Sequence, residues 1–510
     1  MENIVILDCG SQFTQLIARR IRELGVHSEI LPWDADAARI RTSRPVGVVI
    51  SGGPQSVTDP DAPNIDDSVF SLGVPVLGIC YGMQLMTRRF GGFVESGSSR
   101  EYGRMRIGMT GTQSRLTEGL PDSFEVWMSH GDHIGRLPDA FDLLAETERR
   151  VPAVMMDERR RLYGLQFHPE VAHTQHGTEL LSNFLFRICG CKGDWDLGNW
   201  VEGMIREISS TVGDGRVLCA LSGGVDSTVA AVLTSKAVGD RLECVFVDNG
   251  LLRLREAESV LEGYGRLDLN VRFSDASDRF LSALEGVADP ERKRKIIGET
   301  FIRVFEAEAA SVEGAGWLLQ GTLYPDIIES GHKGKSASVI KSHHNVGGLP
   351  EKMNFRVLEP LRDLFKDEVR KIGALLGVPE AILTRKPFPG PGLAVRCLGE
   401  ITPERLEVLR KADAICTEEL SRWEGYASVW QAFCVLLPVR TVGVMGDSRT
   451  YSEAAVLRAV ESADGMTADW VRIPYDYLDR IARRICNEVP GINRVALDIT
   501  SKPPATIEWE

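Results

Sequence analysis

The sequence predicts an α/β protein built from two doubly wound sheets, followed by a small α+β unit. Three observations carry that prediction. Short β-rich apolar runs alternate with helical stretches from residue 1 to about 190, the pattern of parallel strands joined by crossover helices. A second series of the same kind opens at Arg216–Leu221. The chain of 510 residues also exceeds the size at which one hydrophobic core stops growing, roughly 250 to 300 residues.

Taken in order, Ile4–Leu7 reads as the first strand, Gln12–Leu24 as a helix, Val46–Ile50 and Pro75–Ile79 as strands, and Tyr81–Phe90 as the next helix. Around Cys191–Trp200 (CKGDWDLGNW) the periodicity lapses, which suits a domain joint. Arg216–Leu221 is then a strand, Thr228–Val238 an Ala-rich helix, and Glu243–Val247 a strand ending at Asp248. Near residue 386 the string KPFPGPGL excludes helix interior and central strand, because proline lacks an amide hydrogen and fixes φ. Beyond it Thr402–Leu420 reads as a helix, Val429–Leu437, Thr441–Met445 and Arg494–Ile499 as strands, and Ser452–Glu461 as a helix. These breaks set expected domains at 1–193, 194–385 and 386–510.

With 43% hydrophobic and 26% charged residues, the composition is that of an ordinary globular protein. A formal net charge of −13 argues against a nucleic-acid binder, since phosphate contacts need clustered Lys and Arg. Any phosphate site must be local. The ten cysteines are scattered, and the close pair Cys189 and Cys191 lacks CxxC spacing, so free thiols in a reducing, cytoplasmic setting are expected. The acidic start MENIVILDCGSQ reads as a strand rather than a signal peptide, and no stretch reaches the length of a membrane span.

Val76-Leu-Gly-Ile-Cys80-Tyr-Gly-Met-Gln84 puts a cysteine at the end of an apolar strand with glycines near it and a helix behind. A sharp strand-to-helix turn presents such a side chain to substrate, and the helix N-terminus favours a thiolate and offers amides to an oxyanion. Taken alone, the same cysteine is a buried core residue. The segment Leu165-Gln-Phe-His168-Pro-Glu170 changes that reading, because a thiolate needs a base and the base needs a partner that fixes its tautomer. If the segment is extended, His168 and Glu170 fall on one side.

Through GICYGMQ, FHPE and the turn Ser51-Gly-Gly-Pro54, the first domain resembles class I glutamine amidotransferases. The resemblance implies that Cys80 attacks the glutamine carboxamide, His168 acts as base and then acid, and Glu170 orients His168. It implies an oxyanion hole from the amides of Gly53 and Tyr81, and glutamine contacts from Gln84, Ser129, His130 and Gly131. Read alone, Ser129-His130-Gly131-Asp132 is equally a hairpin turn. One departure is Asp8-Cys9-Gly10, where an aromatic beside the glycine is expected.

Leu221-Ser222-Gly-Gly-Val-Asp226-Ser227-Thr228 follows a strand and opens a helix, so consecutive amides and the helix dipole converge on a phosphate. No Gly-Lys-Ser/Thr follows, and the aspartate suggests a magnesium-bridged pyrophosphate. The string resembles that of the ATP pyrophosphatases, adenine-nucleotide α-hydrolase-like enzymes that cleave ATP to AMP and pyrophosphate. The expected ATP-binding residues are Ser222, Gly223, Gly224, Val225, Asp226, Ser227 and Thr228, with Asp226 on Mg²⁺ as the metal ligand. Val247 and Asp248 would border the adenosine at the strand-end crevice. Lys366, in Leu364-Phe-Lys-Asp-Glu-Val, either neutralises pyrophosphate or is a solvated helix lysine.

Along the whole chain, GTLYPDIIES, KSHHNVGGLPE, KPFPGPGL, VGVMGDSRTY and SKPPATIEWE resemble the GMP synthetase family. The resemblance implies small-molecule substrates glutamine, ATP and xanthosine monophosphate (XMP), Mg²⁺ with ATP, a C-terminal dimerisation and XMP-binding domain, and a homodimer. It implies XMP contacts from Arg294, Lys502 and Glu508. Without it, Glu291–Lys295 is a charged helix face and the tail a frayed terminus. The polar stretch 331–346 reads as a lid, with metal binding by His343 and His344 the alternative. A synthetase amidating a carboxylate, and a silent nucleotide-binding regulator, are the competing functions.

Overall fold

The structure is a computed structural model describing residues 2–312, 314–331, 355–445, 447–462 and 467–510. The lid expected at 331–346 and the pair His343 and His344 lie outside the described residues, apart from Gly331. The chain forms two compact units, Met1–Asp196 and Leu197–Glu510.

The first unit holds a nine-stranded sheet. Its strands are β1 (Asn3–Asp8), β2 (His27–Pro32), β3 (Gly47–Ile50), β4 (Val76–Ile79), β5 (Phe93–Met109), β6 (Ser123–Arg136), β7 (Asp142–Thr147), β8 (Pro152–Asp157) and β9 (Leu162–Leu165). The order is β2-β1-β3-β4-β9-β8-β7-β5-β6. From β2 to β9 the pairing is parallel, and from β9 to β6 it is antiparallel. β1 is buried along its whole length, as a parallel strand covered on both faces must be, which is why its sequence reads as one apolar run.

The second unit carries β10 (Arg216–Leu221), β11 (Leu242–Asp248), β12 (Val271–Asp275), β13 (Ala315–Leu319) and β14 (Arg356–Leu358). These form a parallel sheet in the order β12-β11-β10-β13-β14. A further sheet joins β15 (Gln431–Met445), β16 (Ser448–Glu461), β17 (Asp469–Trp470) and β18 (Ile492–Asp498). One core runs from Leu218 and Val245 through Leu393 and Leu409 to Leu436, Leu457 and Ile485, so KPFPGPGL lies inside a continuous packed unit.

Three expectations are corrected. Ser452–Glu461 is strand, not helix: it forms most of β16, paired to β15 on one side and β18 on the other. Its Ala, Leu, Glu and Arg favour a helix, but Ala454–Val460 is buried without interruption, and burial in a central strand outweighs propensity. The strands expected at Val429–Leu437 and Thr441–Met445 are one strand, β15, whose register shifts between Leu437 and Arg440. Pro438 sits in that shift, where a missing ladder donor is tolerated. The helix expected from Thr228 starts at Val225, with Gly224 as its N-cap.

Candidate active site

Cys80 follows β4 with φ 52° and ψ −104°, and the helix Tyr81–Arg89 starts at the next residue. Positive φ is strained for a residue with a Cβ, so surrounding structure must hold the turn. Two glycines allow it: a Cβ on Gly78 would lie 2.5 Å from the Gly82 carbonyl carbon, and one on Gly82 would lie 2.5 Å from the Ile50 carbonyl oxygen. The Cys80 amide donates to the Leu165 carbonyl at 2.7 Å, and its own carbonyl accepts from the Gln84 amide at 3.1 Å. β4 pairs with β9 so that Ile79 is opposite Leu165. The residues one step beyond, Cys80 and Gln166, therefore stand side by side.

His168 and Glu170 lie past the end of β9 where the chain turns, so the condition of an extended segment is not met. They meet nonetheless: Nδ1 of His168 is 2.7 Å from Oε1 of Glu170, with both residues buried. The His168 amide donates to the Trp127 carbonyl at 3.1 Å, and its carbonyl accepts from the Thr174 hydroxyl at 2.6 Å. Burial lowers the His168 pKa, but the Glu170 charge and hydrogen bonds to Cys80 and Glu170 outweigh it and raise the pKa to about 10. His168 thus holds a proton at neutral pH. A Cβ on Gly52 would lie 3.1 Å from the His168 ring and one on Gly53 3.3 Å from the Tyr81 ring, which sets the glycine turn against both.

Ser129-His130-Gly131-Asp132 is no hairpin turn; it lies within β6, a strand of 14 residues. The Ser129 carbonyl accepts from Cys80 Sγ at 3.9 Å, and Gln84 Nε2 donates to the Asp132 carbonyl at 2.9 Å. Gly131 borders open space. Burial lowers the pKa of His130 to about 4, so that ring is neutral beside Met128 Sδ at 3.3 Å. Cys9, where an aromatic was expected, is buried with its amide on the Ser51 hydroxyl at 2.9 Å.

In the second unit, β10 ends at Leu221 and Ser222–Gly224 turns into the helix Val225–Val238. Gly223 has φ +75°, a conformation that favours glycine. The hydroxyls of Ser222 and Ser227 are 3.0 Å apart, and Ser222 Oγ accepts from the Gly224 amide at 3.3 Å. Thr228 is fully buried, and its hydroxyl and amide both donate to the Gly224 carbonyl, at 2.7 and 3.2 Å. Those bonds tie it to the loop. Lys366 Nζ is 3.4 Å from Asp226 Oδ2, so it points at this loop and not only to solvent. The other Asp226 oxygen, Oδ1, is buried without a hydrogen-bond partner among the described residues, which suits a carboxylate that takes a cation. Val247 and Asp248 end β11 beside β10, and burial raises the Asp248 pKa.

Residues 5–188 match the model of the class-I glutamine amidotransferases, and residues 418–509 match the GMP synthase C-terminal domain. A glutamine-hydrolysing GMP synthase of Aquifex aeolicus is 56% identical over 508 residues, 99% of this chain and 99% of the relative. One from Geobacillus kaustophilus is 56% identical over 510 residues, covering 100% and 99%. The chain belongs to the glutamine-hydrolysing GMP synthase family.

In this member of the GMP synthase family the C-terminal tail is anchored rather than frayed. Arg396, fully buried, pairs with Glu508 through two bonds of 3.0 and 2.7 Å and stacks 3.9 Å from the Phe433 ring centre. Both Glu508 oxygens are therefore engaged. Arg458, also fully buried, donates to the carbonyls of Thr500, Thr506 and Ile507 at 2.8 to 2.9 Å. Lys293 Nζ binds Glu510 Oε2 at 2.5 Å, and the adjoining Arg294 donates to the Glu510 main-chain oxygen. Lys502 is paired with Ala468 through reciprocal backbone bonds of 2.8 and 3.0 Å. Arg294, Lys502 and Glu508 are thus all tied to one tail. Sequence reading missed Arg396, Arg458 and Gln166; Gln166 and Arg396 stand inside or beside the strings LQFHPE and KPFPGPGL, but nothing local marks what they face.

Proposed function

We propose that this chain makes GMP from XMP and ATP, using ammonia released from glutamine at Cys80. The observation that carries the reading is the buried His168–Glu170 pair of 2.7 Å beside a cysteine held at positive φ. Cys80 adds to the glutamine carboxamide carbon as the thiolate, its proton already carried by His168. The amides of Gly53 and Tyr81 receive the oxyanion, a kind of donor worth about 3 kcal/mol of transition-state stabilisation. Collapse expels ammonia, to which His168 returns the proton, and water then cleaves the thioester to glutamate. Gln84, Ser129, His130 and Gly131 form the glutamine side of this site.

At Ser222–Ser227 the C2 oxygen of XMP displaces pyrophosphate from the α-phosphorus of ATP, and ammonia then displaces AMP at C2. The sum is XMP, ATP, glutamine and water to GMP, AMP, pyrophosphate and glutamate. Lys366 screens the leaving pyrophosphate. Asp226 would hold the Mg²⁺ that accompanies ATP, which would supply charge neutralisation at the phosphates; its unpartnered Oδ1 supports that role. Arg294, Lys502 and Glu508 organise the XMP end, Glu508 through Arg396. The functional division follows 1–193, 194–385 and 386–510. A homodimer in the cytoplasm is part of the proposal, supported by the exposed apolar residues Val442, Val444 and Tyr451 on β15 and β16.

Purified protein given XMP, Mg-ATP and glutamine is expected to yield GMP, AMP and pyrophosphate together, and Cys80→Ala to do so only from added ammonia. Turnover of ATP and glutamine that ignores XMP would instead indicate a different acceptor. Loss of ammonia-driven synthesis in Cys80→Ala would contradict the division of labour.

A further inference from the structure

Gln166 stands beside Cys80 because β4 and β9 run parallel in register. Its side chain is fully buried, Nε2 contacts Cys80 Sγ at 4.0 Å, and Oε1 has no hydrogen-bond partner among the described residues. An amide whose oxygen is buried and unsatisfied is a poor structural brace, because leaving such an acceptor bare is destabilising. Among the described residues the hydrogen bond its side chain does make is to the reacting sulfur.

Beside its hydrogen bond with His168, Cys80 Sγ has two further polar contacts among the described residues, and they respond oppositely to charge. The Ser129 carbonyl at 3.9 Å suits a thiol, which donates to it, and repels a thiolate. The Gln166 amide donates, and its bond strengthens when the sulfur becomes an anion. In a buried site with little water, a thiolate lacks other solvation. We propose that Gln166 is a further residue of the glutaminase site, whose Nε2 donates to Cys80 Sγ and stabilises the thiolate that pairs with protonated His168. The inference rests on the reading of Cys80 as nucleophile.

The test uses the full chain with Gln166→Met, which keeps the volume, and Gln166→Glu, with Cys80→Ala as reference. The rate of alkylation by a chloroketone analogue of glutamine is followed against pH, beside glutamine hydrolysis, ammonia-driven GMP synthesis and thermal unfolding. In both variants the titratable groups around the sulfur, His168 with Glu170 behind it and His130 on β6, keep their identities. Gln166→Met is expected to raise the pH midpoint of alkylation by about one unit, to slow glutamine hydrolysis about tenfold in kcat with little change in KM, and to keep or raise Tm. Gln166→Glu shifts the midpoint further, since a carboxylate repels the thiolate. A Gln166→Met profile superimposed on the parent overturns the inference, as does a variant that loses Tm and both activities together. Glutamine hydrolysis by Cys80→Ala would defeat the underlying reading of Cys80 itself.

Discussion

Replacing Glu170 by glutamine removes the charge that keeps His168 protonated, while an amide oxygen remains to accept from Nδ1. The His168 pKa stands at about 10 against 6.5 ordinarily, and burial by itself acts to lower it. The variant histidine is therefore expected to be neutral at pH 7. At roughly 1.4 kcal/mol per pH unit, the raised value corresponds to at most about 5 kcal/mol of interaction with Glu170 and Cys80. Because folding raises the pKa, this contribution is complete below pH 6.5 and is lost as pH rises to about 10. The parent should lose stability through that window by up to about 5 kcal/mol, and Glu170→Gln by much less, so that their unfolding curves converge at the alkaline end. Glutamate release at pH 7 should fall about 10² to 10³-fold, while ammonia-driven GMP synthesis is preserved. Hydrolysis within about threefold of the parent, or a stability difference that does not change with pH, would refute the role given to this pair.

Asp226→Asn is expected to cut release of AMP and pyrophosphate by about 10²-fold, the scale of losing several kcal/mol of charge stabilisation, while glutamine hydrolysis at Cys80 continues; normal AMP production would remove the metal role. Gly82→Ala places a Cβ against the Ile50 carbonyl oxygen and should destabilise the first unit by about 1 to 3 kcal/mol in denaturant unfolding. Glu508→Ala leaves the guanidinium of Arg396 buried without its carboxylate, a loss of about 3 to 5 kcal/mol, read as faster hydrogen exchange over residues 500–510 and a higher KM for XMP. The double change Arg396→Met with Glu508→Leu should recover much of that stability without recovering the KM.

What the sequence determined by itself was local. The string around Cys80 specifies a strand, a tight turn and a helix within a dozen or so residues, because Gly78 and Gly82 permit a close approach that no other residue would. SGGVDS likewise specifies its own turn through Gly223. The resemblance of such strings to known families was legible for the same reason. Tertiary structure decided the rest. Cys80 and Gln166 are 86 residues apart and meet because β4 pairs with β9, a choice made by sheet order and not by either segment. Ser452–Glu461 has the composition of a helix and becomes a strand because β15 and β18 flank it. Arg396 and Glu508 are 112 residues apart, and each looks like a surface charge until the fold buries them together. Short-range sterics can be read along the chain, whereas pairing and burial depend on which distant segments arrive, and only the folded chain supplies that.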